Sequence, residues 1–364
     1  MSRRQKRYER RKAKREEAKQ KYEKYDDFEN VASLSSLYNA AWKASNGVRW
    51  KASTQRFLIN LLFRVHDTRK KLLAEKDIRK GFICFDINER GKVRHIKSVH
   101  FSERIVQKSL CTNVLYPAFT HNLIYENSAS QKGKGTLFAS QIVEKQLREH
   151  YKKYGNTGYI LMIDFKSYFE NIEHKPLIDL YKKTFKDEKL INLSISFITA
   201  FGDKGLGLGS ETSQINAVAY PNAIDHYIKD SIKSYSRYMD DSPAISNSKE
   251  KLKDLLKEIK PMYDELGINL NAKKTHITKL KNGFVFLKTR FILTDSGKII
   301  KKPCRKSITR ERQKLKKQIK LFNKGLITKE EIKQSYESWA GSMLRRNARK
   351  TVYEMNKLYK QVER

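Results

Sequence analysis

The sequence predicts an α+β fold of two or three subdomains. Three observations carry this. Amphipathic helical stretches are interleaved with short apolar strands. Two of those strands run into carboxylates, one at Asp164 and one at the adjacent pair Asp240-Asp241. A length of 364 residues exceeds one compact domain, and 39% hydrophobic residues supply a sizeable core although 32% are charged.

From the N-terminus, residues 1–30 read as a basic arm. Its charged run has no glycine or proline and too few apolar residues for a core face; a nucleic-acid arm and a solubilising tail fit equally. Val31, Leu34, Leu37 and Tyr38, then Phe57, Leu58, Leu61 and Leu62, have the spacing of two amphipathic helices. Ile83, Phe85 and Ile87 share a parity, and Gly91 makes a turn before Val93, so Phe82 to Val99 reads as a hairpin with Lys92 and Arg94 near its tip. Ser102 to Leu115 is a helix with Ser102 as N-cap and Glu103 in the first turn. The loop Ser130 to Thr136 holds Lys132, Gly133, Lys134 and Gly135 and opens a helix through Tyr151. It lacks P-loop spacing, although its backbone suits an approach to phosphate.

Tyr159 to Ile163 is an apolar strand ending in Asp164. Leu177 to Phe201 reads as helix, Gly205 to Ser210 as a glycine-rich turn, and Ser213 to Ile232 as helix. Tyr235 to Ser246 reads as strand-turn-strand with both aspartates at the turn. Lys249 to Leu266 is a helix ended by Gly267. Leu280 to Thr294 reads as two short strands around Gly283, and Ser307 to Arg364 as basic helix broken near Gly325. Pairing of the two aspartate-bearing strands would bring Asp164, Asp240 and Asp241 together.

Lys and Arg number 77 against 40 Asp and Glu, a formal charge of +37. That excess implies a polyanionic partner, most commonly nucleic acid. No long uncharged apolar run or signal-peptide pattern points to a membrane. Cys84, Cys111 and Cys304 form no zinc or disulfide pattern; they read as three buried small hydrophobes in a reducing, cytoplasmic setting.

Adjacent carboxylates resist burial unless a cation lies between them, and a divalent metal is the usual cation. Extending a nucleic-acid chain needs two divalent ions held by carboxylates. The hard, oxygen-preferring Mg²⁺ suits the task, with Mn²⁺ as a substitute. Asp164 and Asp240 would bridge the ions and Asp241 would be a secondary ligand. Lys274, in Leu270-Asn271-Ala272-Lys273-Lys274-Thr275, is a candidate proton donor to pyrophosphate. The constellation suggests a polymerase palm.

Several segments together resemble a bacterial or phage reverse transcriptase of the group II intron-like lineage. Tyr238-Met239-Asp240-Asp241 is similar to the family's YxDD box, and Asp164 to Ile172 to its earlier aspartate motif. Phe101 to Gln107 and Tyr125 to Thr136 resemble fingers motifs, Gly267 to Thr275 the lysine motif, and Phe286 to Phe291 the primer grip. The resemblance runs from about Gly91 to Phe291. It implies a right-hand polymerase with fingers, a palm with an antiparallel sheet and an α-helical thumb. The divisions are 1–30 arm, 31–158 fingers with N-terminal helices, 159–283 palm with inserted fingers helices, and 284–364 primer grip and basic helical thumb.

The resemblance also implies roles. Phe169 would be the steric gate against a 2′-hydroxyl, and Lys92 and Arg94 would grip the triphosphate. Gln214 and the Gly207–Gly209 turn would line the nascent base pair. The Phe165 carbonyl would join the metal ligands. Arg104, Lys132, Lys134, Lys288 and Arg290 would contact nucleic acid, and Trp339 would anchor the thumb core. Implied partners are a template or non-coding RNA, nascent cDNA and dNTPs, with a small basic accessory protein or second subunit.

Leu208 to Gln214 and Ser338-Trp339-Ala340-Gly341 are similar to enzymes of diversity-generating retroelements, and phage-defence reverse transcriptases share parts of the pattern. Ser242-Pro243 departs from the apolar continuation usual after the box. A different class, an RNA-binding protein with an inactive palm, would also explain the charge.

Overall fold

The computed structural model describes residues 22–89 and 92–362. The arm expected over residues 1–30 lies mostly outside them. The chain divides into two compact units, one drawn from Met1–Gly135, Phe165–Tyr227 and Ile259–Leu270, the other from Thr136–Asp164, Ile228–Glu258 and Asn271–Arg364.

The first unit begins with four helices where the periodicity predicts two: α1 Glu29–Ala32, α2 Leu34–Ser45, α3 Ala52–Ile59 and α4 Leu61–Leu73. Ser33 caps α2 by accepting from the Ser36 N–H. The hairpin is antiparallel, β1 Phe82–Glu89 with β2 Lys92–Val99, and Phe85 lies opposite Ile96. Helix α5 (Phe101–Leu110) starts one residue earlier than expected. Its cap is His100, whose side chain accepts from the Ser102 N–H, so Ser102 is inside the helix. A π-turn, Cys111–Leu115, leads into α6 (Tyr116–Thr120).

After Asp164 the same unit continues with α8 Tyr168–Asn171, α9 His174–Thr184, α10 Glu188–Thr199, α11 Glu211–Ala219 and the start of α12 (Asn222–Ser231). Two single helices expected from sequence are therefore broken. Asp187 caps a new helix at Leu190 N–H. Pro221 separates α11 from α12: Tyr220 before it keeps helical geometry, φ −54° and ψ −51°, but proline has no N–H to continue the helical ladder.

The second unit opens with α7 Thr136–Tyr154 and β3 Tyr159–Asp164. An antiparallel sheet of order β4-β5-β3-β6 forms from β4 Ser234–Tyr235, β5 Asp241–Ser246, β3 and β6 His276–Lys279. Helix α13 (Lys249–Glu265) links β5 to the segment before β6. A second sheet, β7 Phe284–Phe286, β8 Thr289–Leu293 and β9 Ile299–Pro303, shares one core with the first. Val143 and Leu147 of α7, Ile160 and Met162 of β3, and Phe286 and Phe291 fill it. The turn between β7 and β8 is Leu287-Lys288, both at positive φ, not Gly283 as expected. Gly283 instead follows a 3₁₀ turn where a Cβ would stand 2.7 Å from the Phe291 carbonyl oxygen.

Three helices finish the chain: α14 Arg305–Phe322, α15 Lys329–Leu344 and α16 Arg349–Tyr359. The break at Gly325 is a Schellman-type stop, with Leu326 N–H reaching the Leu321 carbonyl at 3.0 Å. Thr328 and Glu331 then form a capping box. Trp339 packs against both apolar clusters of this bundle. Of the cysteines only Cys111 is buried; Cys84 is exposed and Cys304 half-buried, so two of the three are not core residues. Cys84 alternates onto the hairpin, whose strands are largely exposed.

Candidate active site

Strand register brings the carboxylates to one edge of the four-stranded sheet. Asp164 is the last residue of β3 and lies opposite Asp241, the first of β5. Asp240 sits in the preceding two-residue turn. Tyr238 N–H donates to the Asp241 carbonyl at 2.9 Å and Asp241 N–H returns the bond at 3.1 Å. Met239 takes φ 58° there. Positive φ at the first central residue matches the twist of a hairpin but costs a non-glycine residue about 1–3 kcal/mol. The fully buried Arg237 helps hold it, donating from Nη1 to the Met239 carbonyl at 3.0 Å.

Pro243 is central in the sheet, opposite Met162. Its carbonyl accepts from Ser236 N–H at 3.2 Å, on the side of the two-residue β4. In an antiparallel ladder a residue's N and O point the same way. The missing N–H therefore faces the β4 side and spares the ladder that aligns Asp241 with Asp164.

Asp164 is buried and held from several sides. Asn271 Nδ2 donates to its Oδ1 at 3.0 Å, and Lys274 Nζ to its Oδ2 at 2.6 Å. Its backbone N–H donates to Thr275 Oγ1 at 3.2 Å, and its carbonyl accepts from Asn271 N–H at 2.8 Å. Burial pulls the Lys274 ammonium down, but the Asp164 hydrogen bond and the three nearby carboxylates outweigh it and raise its pKa. Lys274 is therefore a full cation at neutral pH. Burial pushes Asp241 up to about 7, and the charges of Asp240 and Asp164 add to it, against the Leu287 N–H and Lys274.

Three carboxylates thus face one ammonium. The donor set is all oxygen, which suits a hard divalent cation, and positive charge at these oxygens would favour the ionised form of Asp241 that burial and its neighbours disfavour. As the side chains stand, Lys274 takes Asp164 Oδ2, and among the described residues no three His, Cys, Asp or Glu side chains are grouped to hold an ion. The residues fit a metal chemically, with Lys274 as the competing cation. Phe165, expected to add its carbonyl, follows Asp164 directly and pairs with Leu270 in the first unit.

Within the first unit, the glycine loop joins the hairpin to the Phe169 turn. Leu208 carbonyl accepts from Lys97 N–H at 3.2 Å, and a Cβ on Gly209 would come within 3.1 Å of Ile96 Cγ2. At the other end, Leu206 N–H donates to the Phe169 carbonyl at 2.6 Å. A Cβ on Gly205 would meet the Glu170 carbonyl oxygen at 2.8 Å. Phe169 is half-buried on α8, which the chain enters through Ser167 at φ 47°. Gln214, on α11, accepts from Ser130 Oγ at 3.4 Å. Arg94 is exposed on β2, opposite Ile87; the Lys92 side chain lies outside the described residues.

Among the basic residues expected on nucleic acid, Lys132, Lys288 and Arg290 are exposed. Arg290 also donates to the Asn282 carbonyl at 3.1 Å. Arg104 donates to Ser98 Oγ at 3.1 Å. Lys134 donates to the carbonyls of Tyr125 and Asn127 at 2.8 and 3.0 Å, and burial lowers its pKa. Arg104 thus ties α5 to β2, and Lys134 ties its own loop together.

Sequence reasoning passed over Asn271, Thr275, Arg237 and the Leu287 N–H. Asn271 and Thr275 lie inside the lysine segment, and their spacing about Lys274 was a usable signal. Arg237 adjoins the box but reads as surface charge. The Leu287 contact is made by backbone, which no residue type betrays.

A family model described as "Reverse transcriptase (RNA-dependent DNA polymerase)" matches residues 78–291. No curated protein sequence matches. Among solved structures, Candida albicans telomerase in complex with a TWJ fragment of telomeric RNA aligns with TM-score 0.47 and 11% identity, over 61% of this chain and 45% of that one. Apo telomerase from Candida tropicalis aligns at TM-score 0.45 and 13% identity, over 65% of this chain and 53% of that one. The chain spans about half the length of these telomerase chains.

Proposed function

The chain belongs to the reverse transcriptase (RNA-dependent DNA polymerase) family, and from that premise we propose that it copies RNA into DNA at Asp164, Asp240 and Asp241. The observation carrying this reading is the register that sets Asp164 opposite Asp241, with Asp240 in the adjoining turn. Asp164 and Asp240, with Asp241 and the Phe165 carbonyl, would hold a pair of divalent ions, Mg²⁺ or Mn²⁺. When bound, such ions supply Lewis-acid activation of a 3′-hydroxyl and charge neutralisation of the departing pyrophosphate.

The chain's own residues do the rest. Lys274 keeps its proton through the resting state and gives it to the pyrophosphate oxygen as negative charge develops there. Phe169 excludes a ribose 2′-hydroxyl. Lys92 and Arg94 bind the triphosphate, and Gln214 with the Gly207–Gly209 turn borders the nascent base pair. Lys132, Lys288 and Arg290, with Arg104 and Lys134, bear on phosphodiesters. The divisions proposed are fingers over 31–158, palm over 159–283, and primer grip and thumb over 284–364, after the arm at 1–30.

The biological role proposed is cDNA synthesis on a dedicated RNA in a diversity-generating retroelement or related phage system, supported by Leu208–Gln214 and Ser338–Gly341. Ser242-Pro243 departs from the usual continuation after the box and leaves the subgroup open to a second reading, a phage-defence enzyme copying a non-coding RNA. Either places it in the cytoplasm of a bacterial or phage-infected cell; among the described residues no helix is long and apolar enough to cross a membrane. A small basic accessory protein or second subunit is a proposed partner.

The test is extension of a primed RNA template with dNTPs. Incorporation that requires Mg²⁺ or Mn²⁺ and stops with chelator supports the reading. No incorporation with either ion on any primed template would favour an RNA-binding protein with an inactive palm. Sequencing the copurifying nucleic acid separates the two biological roles.

A further inference from the structure

We propose that the cavity between α3, α4 and the segment 77–80 is a polyphosphate-binding pocket, a site beyond the polymerase reading. It has a volume of about 380 Å³, the size of ordinary small-ligand sites. Arg56, Arg64, Lys71, Arg79 and Lys80 line it, against two carboxylates, Asp67 and Asp77.

Both carboxylates are already engaged. Lys71 Nζ lies 2.7 Å from Asp67 Oδ2, and Arg79 reaches Asp77 through Nε at 2.9 Å and Nη2 at 2.8 Å. Arg56, Arg64 and Lys80 remain. Among the described residues none of these three has a carboxylate within ion-pairing distance; Arg56 Nε makes only a 3.4 Å bond to the Ala52 carbonyl. A basic surface patch ordinarily interleaves its charges with acids. Here three cations open onto one cavity after its acids are spent.

The remaining lining selects the ligand's chemistry. A metal is excluded by the excess positive charge, and an apolar ligand by the cost of burying guanidinium groups beside it. Guanidinium pairs bind phosphate oxygens through two parallel hydrogen bonds, and lysine supplies a point charge. The Ser53 hydroxyl adds a donor at the rim. His100 sits in the wall with Nδ1 3.0 Å from Ser102 Oγ. Burial lowers its pKa, and the Lys80 charge adds to that. Phe57 and Ile78 give the cavity an apolar side, as a nucleoside attached to the phosphates would need. Three cations match a di- or triphosphate better than one phosphodiester. The source is a free nucleotide or the 5′ end of an RNA.

A chain of charge +37 binds polyanions at many places, so bulk affinity is no readout. The reporter is the His100 ring in the full-length protein carrying ¹³C-labelled histidine, assigned by loss of its signal in His100→Gln. Sodium tripolyphosphate added without divalent metal should shift that signal and saturate it. Arg64→Gln/Lys80→Gln should weaken the saturation at least tenfold while leaving the melting temperature and primer extension unchanged. ATP and a 5′-triphosphorylated RNA 10-mer, against its 5′-hydroxyl counterpart, identify the source by which one saturates at lower concentration. A His100 signal that does not move with any of these, or a double variant that saturates like the wild type, overturns the pocket. Either result stands apart from the polymerase reading, because no arm of the binding assay requires catalysis.

Discussion

The carboxylate edge of the second unit and the glycine loop of the first are fixed by opposite means. Asp164 and Asp241 are aligned by a β-ladder and then gripped by Asn271, Lys274, Thr275 and the Leu287 N–H. Met239, Leu287 and Lys288 all carry positive φ without being glycine, strain that the surrounding ladder and core sustain. The glycine loop has no such ladder. Its place depends on close approach where a Cβ would collide, with the Glu170 carbonyl at Gly205, the Phe201 ring at Gly207 and the Ile96 side chain at Gly209. The hairpin it touches leaves Ile83 and Phe85 62% and 46% exposed. Groups proposed to react are thus set by backbone pairing, and groups proposed to select substrate by close approach. The first should be most sensitive to loss of charge at constant shape, the second to change of shape at constant charge.

Charge removal at the first region should have the largest effect. Asp240→Asn should lower primer extension by about 10³-fold or more, as loss of metal-ligand charge does, with far-UV circular dichroism unchanged. Lys274→Met should lower kcat by about 10²-fold with little change in the dNTP KM, the signature of a lost proton donor. A change confined to KM would make Lys274 a binding residue instead. At the second region, Phe169→Ala should raise rNTP use relative to dNTP by about tenfold, one steric contact's worth of discrimination. Unchanged selectivity would remove Phe169 from the gate.

A smaller effect should follow from shape. Gly207→Ala would put a Cβ 2.0 Å from the Phe201 ring, and the displaced loop should raise the dNTP KM several-fold at nearly constant kcat. The smallest effect has the opposite sign to a loss. Asp241, lifted from its usual 3.8 to about 7, is protonated in the folded state while the unfolded chain ionises. That term favours folding below about pH 4 and is lost as pH rises to 7. Asp241→Asn should therefore melt a few degrees higher than wild type at pH 8 in metal-free buffer, and no higher at pH 4. Equal melting at both pH values would mean that neither burial nor the neighbouring carboxylates raise Asp241 in the folded protein.

Much of this architecture was legible because it follows from local pattern. The apolar run ending at Asp164, the hairpin at Phe82–Val99 and the stop at Gly325 each declare themselves by periodicity or turn chemistry. What escaped depends on partners distant in sequence. Strand β6, His276–Lys279, is a polar, half-exposed edge that becomes a strand only against β3. The Leu287-Lys288 turn lacks the glycine or asparagine its positive φ values favour, so Gly283 drew the prediction instead. Ser102 lost the cap to His100, a residue seldom chosen for it, because the chain leaves β2 extended through that position.

Asp164, Asp240 and Asp241 are proposed to act as one site. Single-nucleotide incorporation into a primed RNA template, followed by rapid quench for wild type and Asp164→Asn at saturating Mg²⁺, tests it most directly. A rate reduced by about 10³-fold or more, in a variant that still binds the primed template, is predicted. Incorporation by Asp164→Asn at the wild-type rate would contradict it.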